Sequence, residues 1–163
     1  MVIMRPGTLA KSASAVFVTA AAGSLASRPA VDSKWYAKLR KPSFQPPRQA
    51  FPIVWPILYT DIAAVSASTV DQFEEQRQPE KASAYRKALG VNLLLNGSWS
   101  WLFFNRRMLG TSAVAAAALT VSSADLARRA AELKPSRGVV LTPYPLWCAF
   151  ATALSTRIWM LNR

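Results

Sequence analysis

Long apolar runs broken by short basic segments limit what this chain can fold into more than any other feature. Residues 10–28, 51–70, 89–104, 108–127 and 139–161 are rich in Ala, Leu, Val and Trp, and Lys and Arg collect between them. About 20 apolar residues in a helix match the hydrocarbon thickness of a bilayer. In that medium only helices and closed barrels satisfy their own backbone hydrogen bonds. No run alternates apolar and polar residues for long enough to make barrel strands. The reading is therefore all-α: a membrane bundle of five transmembrane helices, one domain over residues 1–163. Pro52, Pro56, Pro143 and Pro145 fall early in their runs, where a missing N–H does least harm.

Charge supports the same class. The net charge is +12 while 52% of residues are apolar. In a soluble chain that balance would suggest nucleic acid. Here the cations flank apolar spans, as they do at lipid headgroups, so no nucleic-acid partner is expected and membrane lipid is. There is no histidine and a single cysteine, Cys148. That excludes His/Cys metal clusters, Ser-His-Asp and Cys-His catalysis and any internal disulfide, so no metal and no cofactor is expected. The first run, "SASAVFVTAAAGSLAS", follows Arg5 and Lys11 and fits both a signal peptide and a retained first helix. Ten Lys or Arg fall on each side of a five-span bundle, so the positive-inside rule leaves orientation open.

Polar and aromatic groups recur at helical spacing within the runs. Trp55 and Tyr59 are four apart; Asn96, Trp99, Ser100 and Phe103 fall at spacings of three, one and three; Tyr144, Trp147 and Ala151 at three and four. Stripes that converged would wall an apolar pocket with a few polar anchors, suited to a large planar ligand. The alternative is an interfacial tryptophan belt, into which Trp35, Trp101 and Trp159 fit, with Asn96 bonding a neighbouring helix. Spacing alone leaves both open. Asp61, about ten positions into a span, is a functional candidate by default, and a protonated or ion-paired carboxylate is the plain reading.

Three blocks carry a resemblance: "WYAKLRKPSFQPPRQAFPIVWPILY", "LNGSWSWLFF" and "PYPLWCAFATALSTRIWMLN". In order and separation they are similar to the tryptophan-rich sensory protein / translocator protein family, the peripheral-type benzodiazepine receptors. The likeness runs from about Trp35 to Asn162. It implies a five-helix homodimer whose first loop, residues 29–50, forms a lid over one mouth. It implies binding of porphyrins such as protoporphyrin IX, or of haem-like ligands. Carried onto this chain, the binding positions are Tyr36, Pro46, Trp55, Tyr59, Asn96, Trp99, Ser100, Phe103, Trp147 and Ala151.

Some bacterial members are credited with light-dependent porphyrin breakdown through tryptophans matching Trp55 and Trp147. Sensor, carrier or transporter is thus one expectation, and porphyrin-degrading enzyme the other. The sequence offers no general base, metal site or nucleotide loop for conventional turnover. The chain departs from the family in places. Leu154-Ser155 stands where many members have Leu-Asn, no Tyr precedes Arg157, and Trp99 is larger than many residues at its position. Sterol binding is accordingly expected to be weak or absent. The Ala/Arg-rich composition favours a bacterial inner membrane; a eukaryotic member would sit in the mitochondrial outer membrane. In "KPSFQPPR" the prolines stiffen the lid, and the cations stand where headgroup phosphates or porphyrin propionates would lie.

Overall fold

The computed structural model describes residues 4–163. Every described element is helical: α1 Pro6–Val31, α2 Lys34–Lys38, α3 Phe51–Glu75, α4 Pro79–Ser100, α5 Leu109–Leu133, α6 Pro135–Leu141 and α7 Pro143–Asn162. A 3₁₀ turn, Arg48–Ala50, leads into α3, and a π-helical turn, Trp101–Asn105, ends α4. Proline stands in the first turn of α1, α3, α4, α6 and α7. Its fixed φ suits that position, and its missing N–H would have had no helical partner there. The α3–α4 turn closes on Arg77 at φ 56°, with Gln78 N–H donating back to Phe73 C=O at 2.8 Å.

The long helices alternate in direction. α1 packs against α3 and α4, α4 against α5, and α5 most extensively against α7. Arg5 N–H donates to Asp71 at 2.6 Å and the Arg5 guanidinium meets Glu74 at 3.0 Å, so the start of α1 lies at the end of α3. At the opposite mouth, Asn162 accepts from Arg40 N–H at 2.9 Å and donates to Arg40 C=O at 2.8 Å. That exchange ties the first loop to the end of α7.

Ile62, Tyr85, Leu126, Leu141 and Tyr144 are fully buried in the core. Phe17, Leu25, Leu94, Val114 and Val121 face outward, each at least 70% exposed. A continuous apolar exterior around a core holding Asn92, Asp71 and Ser66 at 0% exposure is the pattern of a chain solvated by lipid.

Four helical segments are long and apolar enough to cross a membrane: Pro6–Val31, Arg48–Glu75, Leu109–Leu133 and Pro135–Asn162. The predicted span 89–104 differs. α4 has the length, at 22 residues, but Glu80, Lys81, Arg86 and Lys87 occupy its first half and Asn92 and Asn96 its middle. The predicted loop 29–50 is shorter than expected. α1 continues through Pro29 to Val31, and α2 and the 3₁₀ turn occupy part of the remainder.

Candidate functional site

A cavity of about 1410 Å³ lies between α1, α3 and the end of α4, under the first loop. α1 supplies small residues at helical spacing, Ala13, Ala20, Ser24 and Ser27. Gly23 brings α1 close to α4, since a Cβ there would stand 3.1 Å from Ser100 Oγ. α3 supplies bulk: Pro52 and Pro56 line the cavity, and the Trp55 and Tyr59 rings stack at 5.4 Å with 28° between planes. Pro56 cannot donate in the α3 ladder, and its carbonyl accepts from Thr60 Oγ1 at 2.8 Å. The cavity is polarised along its length. Leu9, Val16, Phe17, Ala63 and Ala64 line one end; Arg28, Asp32, Arg48 and Gln49 line the loop end. Phe17 lines it while 73% exposed, so the space opens sideways between α1 and α3.

The ten positions carried over from the resemblance divide into two groups. Tyr36, Trp55, Tyr59, Trp99 and Ser100 line the cavity. Tyr36 sits on the loop helix α2, its N–H held by Ser33 Oγ at 3.2 Å and its ring under Lys41 Nζ at 4.3 Å. Pro46, Asn96, Phe103, Trp147 and Ala151 do not line it. Phe103 is buried with Leu154 and Ile158 in a separate apolar cluster, beside Trp35. Trp147 packs against Phe51 at 5.9 Å and Phe150 at 5.3 Å, and its buried indole N–H has no partner among the described residues. Pro46 and Ala151 are half-buried elsewhere.

Asn96 stands behind the wall and joins it to the rest of the bundle. Tyr59 Oη donates to Asn96 Oδ1 at 2.9 Å, and Asn96 Nδ2 donates to Tyr144 Oη at 3.1 Å. Tyr144 Oη donates to Asn92 Oδ1 at 2.8 Å, and Asn92 Nδ2 donates to Ser122 Oγ at 3.2 Å. The chain of bonds links α3, α4, α7 and α5, and its three central members, Asn96, Tyr144 and Asn92, are buried. Burial without partners would make each amide costly; here every step is satisfied.

Two departures from the family pattern meet each other. Trp99 Nε1 donates to Ser155 Oγ at 3.3 Å, and the Trp99 ring stacks on Phe103 at 5.7 Å. The larger ring on the wall thus has a hydroxyl to receive its N–H.

The two mouths differ in charge. Opposite the loop, Arg5 and Arg86 pair with Glu74, Arg128 with Asp125 and Glu132, and Arg129 with Asp125. At the loop mouth Arg48 pairs with Asp32, whereas Arg28, Lys34, Lys38, Arg40 and Lys41 make no salt bridge among the described residues. Asp61 is half-buried on α3 and makes no salt bridge among the described residues either. Among those residues no group of three His, Cys, Asp or Glu is placed to hold a metal ion.

Sequence reasoning missed the α1 wall and the Asn92–Tyr144 link. The signals were present in the chain: small residues every three or four positions from Ala13 to Ser27, and two amides four apart on α4.

The sequence also matches known proteins. A model of the TspO/MBR family fits residues 12–160. A translocator protein of Homo sapiens is 35% identical over 131 residues, 79% of this chain and 75% of that protein. A tryptophan-rich sensory protein of Cereibacter sphaeroides is 31% identical over 129 residues, 79% of this chain and 77% of that one. The uncharacterized membrane protein YtaB of Bacillus subtilis is 30% identical over 132 residues, 81% and 83% of the two chains.

Proposed function

The chain belongs to the TspO/MBR family of membrane proteins, and from that premise we propose that it binds a porphyrin or related tetrapyrrole in the cavity between α1 and α3. The observation that carries the reading is the cavity's two-ended wall. Stacked Trp55 and Tyr59 offer flat apolar faces for a macrocycle, and at the loop end, where its carboxylates would lie, stand Arg28 and an Arg48 that a ligand carboxylate would have to take from Asp32. The protein acts as a sensor, carrier or transporter with five membrane-crossing helices: α1, α3, α4 with its π turn, α5, and α6 with α7. α4 crosses despite its polarity because its amides are satisfied inside the bundle. The loop with α2 serves as the lid. The resemblance extends the proposal to a homodimer in a bacterial inner membrane.

Titrating detergent-solubilised protein with protoporphyrin IX tests the reading. Tryptophan fluorescence should quench at micromolar ligand. Trp55→Ala should weaken binding about tenfold, the effect of losing one stacked aromatic face. Absence of quenching, or unchanged affinity in Trp55→Ala, would overturn it.

The degradation alternative asks two tryptophans to meet one ligand. Trp55 lines the cavity and Trp147 does not, which favours binding without turnover. Under light, Trp55→Phe and Trp147→Phe should then bleach porphyrin no more slowly than the parent protein. Protein-dependent bleaching lost in both variants would restore the enzymatic reading.

A further inference from the structure

The hydrogen bonds from Tyr59 to Ser122 all point one way. Each donor in the series Tyr59, Asn96, Tyr144, Asn92 gives to the next member, and Ser122 only receives. Tyr59 heads the series and lines the cavity. Its one proton is committed to Asn96, so toward the cavity its oxygen can only accept.

The same heavy atoms permit the opposite polarity. If both amides turn over, Ser122 O–H donates to Asn92, Asn92 N–H to Tyr144, Tyr144 O–H to Asn96, and Asn96 N–H to Tyr59. Amide oxygen and nitrogen are nearly identical in size, so the packing is the same either way. Four hydrogen bonds are kept, no proton changes its atom, and no charge is created. The one difference is where a spare O–H sits. In the first polarity it is at Ser122; in the second it is at Tyr59. Asn92 and Tyr144 are at 0% exposure and Asn96 at 3%, so neither water nor lipid can substitute for a missing link.

We propose that Asn92 and Ser122, which do not line the cavity, are positioning residues that set whether Tyr59 offers a ligand a hydrogen-bond acceptor or a donor. The inference rests on the cavity being the binding site. A ligand N–H selects the first polarity. A ligand carbonyl or carboxylate selects the second. One wall residue therefore serves both ligand classes, and the balance between them is held two helices away.

Removing the Asn92 amide biases that balance in a stated direction. In Asn92→Leu the first polarity strands the Tyr144 O–H without an acceptor. The second polarity pairs the Tyr144 O–H with Asn96 and the Asn96 N–H with Tyr59, leaving the spare O–H at Tyr59 on the cavity; the Ser122 O–H loses its Asn92 partner in either polarity. A buried unpaired donor is costly, so the second prevails and Tyr59 becomes a donor. Ser122→Ala acts in the same sense but more weakly, since it strands an Asn92 N–H in one polarity and only a carbonyl lone pair in the other.

The test uses two flat tricyclic probes of matched shape: carbazole, which has an N–H and no acceptor, and fluorenone, which has a C=O and no donor. Dissociation constants are measured by calorimetry on detergent-solubilised full-length protein. The fluorenone-to-carbazole affinity ratio should rise about tenfold in Asn92→Leu and about threefold in the milder Ser122→Ala. In Tyr59→Phe the ratio should no longer respond to either change. A general loss of packing would weaken both probes together and leave the ratio unmoved. An unmoved ratio in Ser122→Ala and Asn92→Leu, with both probes still bound, overturns the inference alone. Failure of the parent protein to bind either probe or protoporphyrin IX overturns the binding-site reading and the inference with it.

Discussion

The α5–α7 side of the bundle and the α1–α3 side are built from similar small residues and reach opposite results. Between α5 and α7 the small residues are used for contact. Ala113 and Ala116 are buried, Thr120 and Thr152 hydroxyls meet at 2.9 Å, and Gly110 lies where a Cβ would be 3.1 Å from the Trp159 indole. α1 packs against α3 elsewhere, through Val16 in the core, but Ala13, Ala20 and Ser24 instead face open space, where α3 presents proline and aromatic rings. Gly23 allows a close approach to Ser100 on α4 beside that space. Small residues permit close packing, and the partner face decides whether it occurs.

One substitution made on both sides sharpens the difference most. Ala116→Leu forces a larger side chain into filled space and should destabilise the protein by about 2–3 kcal/mol, read as a lowered unfolding midpoint in detergent. Asn96→Leu cuts the seam between the two sides, leaving the Tyr59 O–H without its acceptor and Tyr144 without its donor, and should cost about 1–3 kcal/mol in the same assay. Ala20→Leu points into the cavity. It should leave the midpoint nearly unchanged while weakening protoporphyrin IX binding about tenfold, the loss expected when a filled volume excludes part of a ligand. Phe17→Ala, on the outward rim, should shift stability by less than about 0.5 kcal/mol. Equal destabilisation by the two Ala→Leu changes would break the comparison, since it would mean that the α1–α3 space is not open.

The four strongly apolar helices were legible in the sequence because hydrophobic length in a bilayer is a one-dimensional property. α4 was only half legible. Its charged first turns hide its start at Pro79, and its buried amides lower its apolarity, although they are what bonds it to Tyr59 and Tyr144. Spacing placed Trp55 and Tyr59 on one stripe and Trp99 and Ser100 on another without deciding whether the stripes meet; these four line a common cavity. Phe103 was assigned to the same stripe by α-helical spacing. The π turn that begins at Trp101 breaks that period, and Phe103 lies with Leu154 and Ile158 instead. Trp147 shows a second limit. Spacing places residues on a common face but not opposite a given neighbour, and its face meets Phe51 and Phe150. The α1 wall was passed over because alanine and serine announce no chemistry. Asp61 remains without a role that its surroundings explain.

The π turn at Trp101–Asn105, closed by Arg106 N–H on Trp101 C=O at 2.8 Å, holds one residue more than an α-helix would place there. That surplus acts as a vernier between two halves of one continuous rod. Upstream, Trp99 and Ser100 keep their angle to the cavity; downstream, Phe103 reaches Trp35 and Phe104 reaches Tyr36 of the loop helix. Excising a single residue from the turn would leave Trp99 and Ser100 in place and re-aim Phe103 and Phe104, and because Phe104 and Tyr36 both line the cavity, loop seating and the loop end of the cavity would shift together.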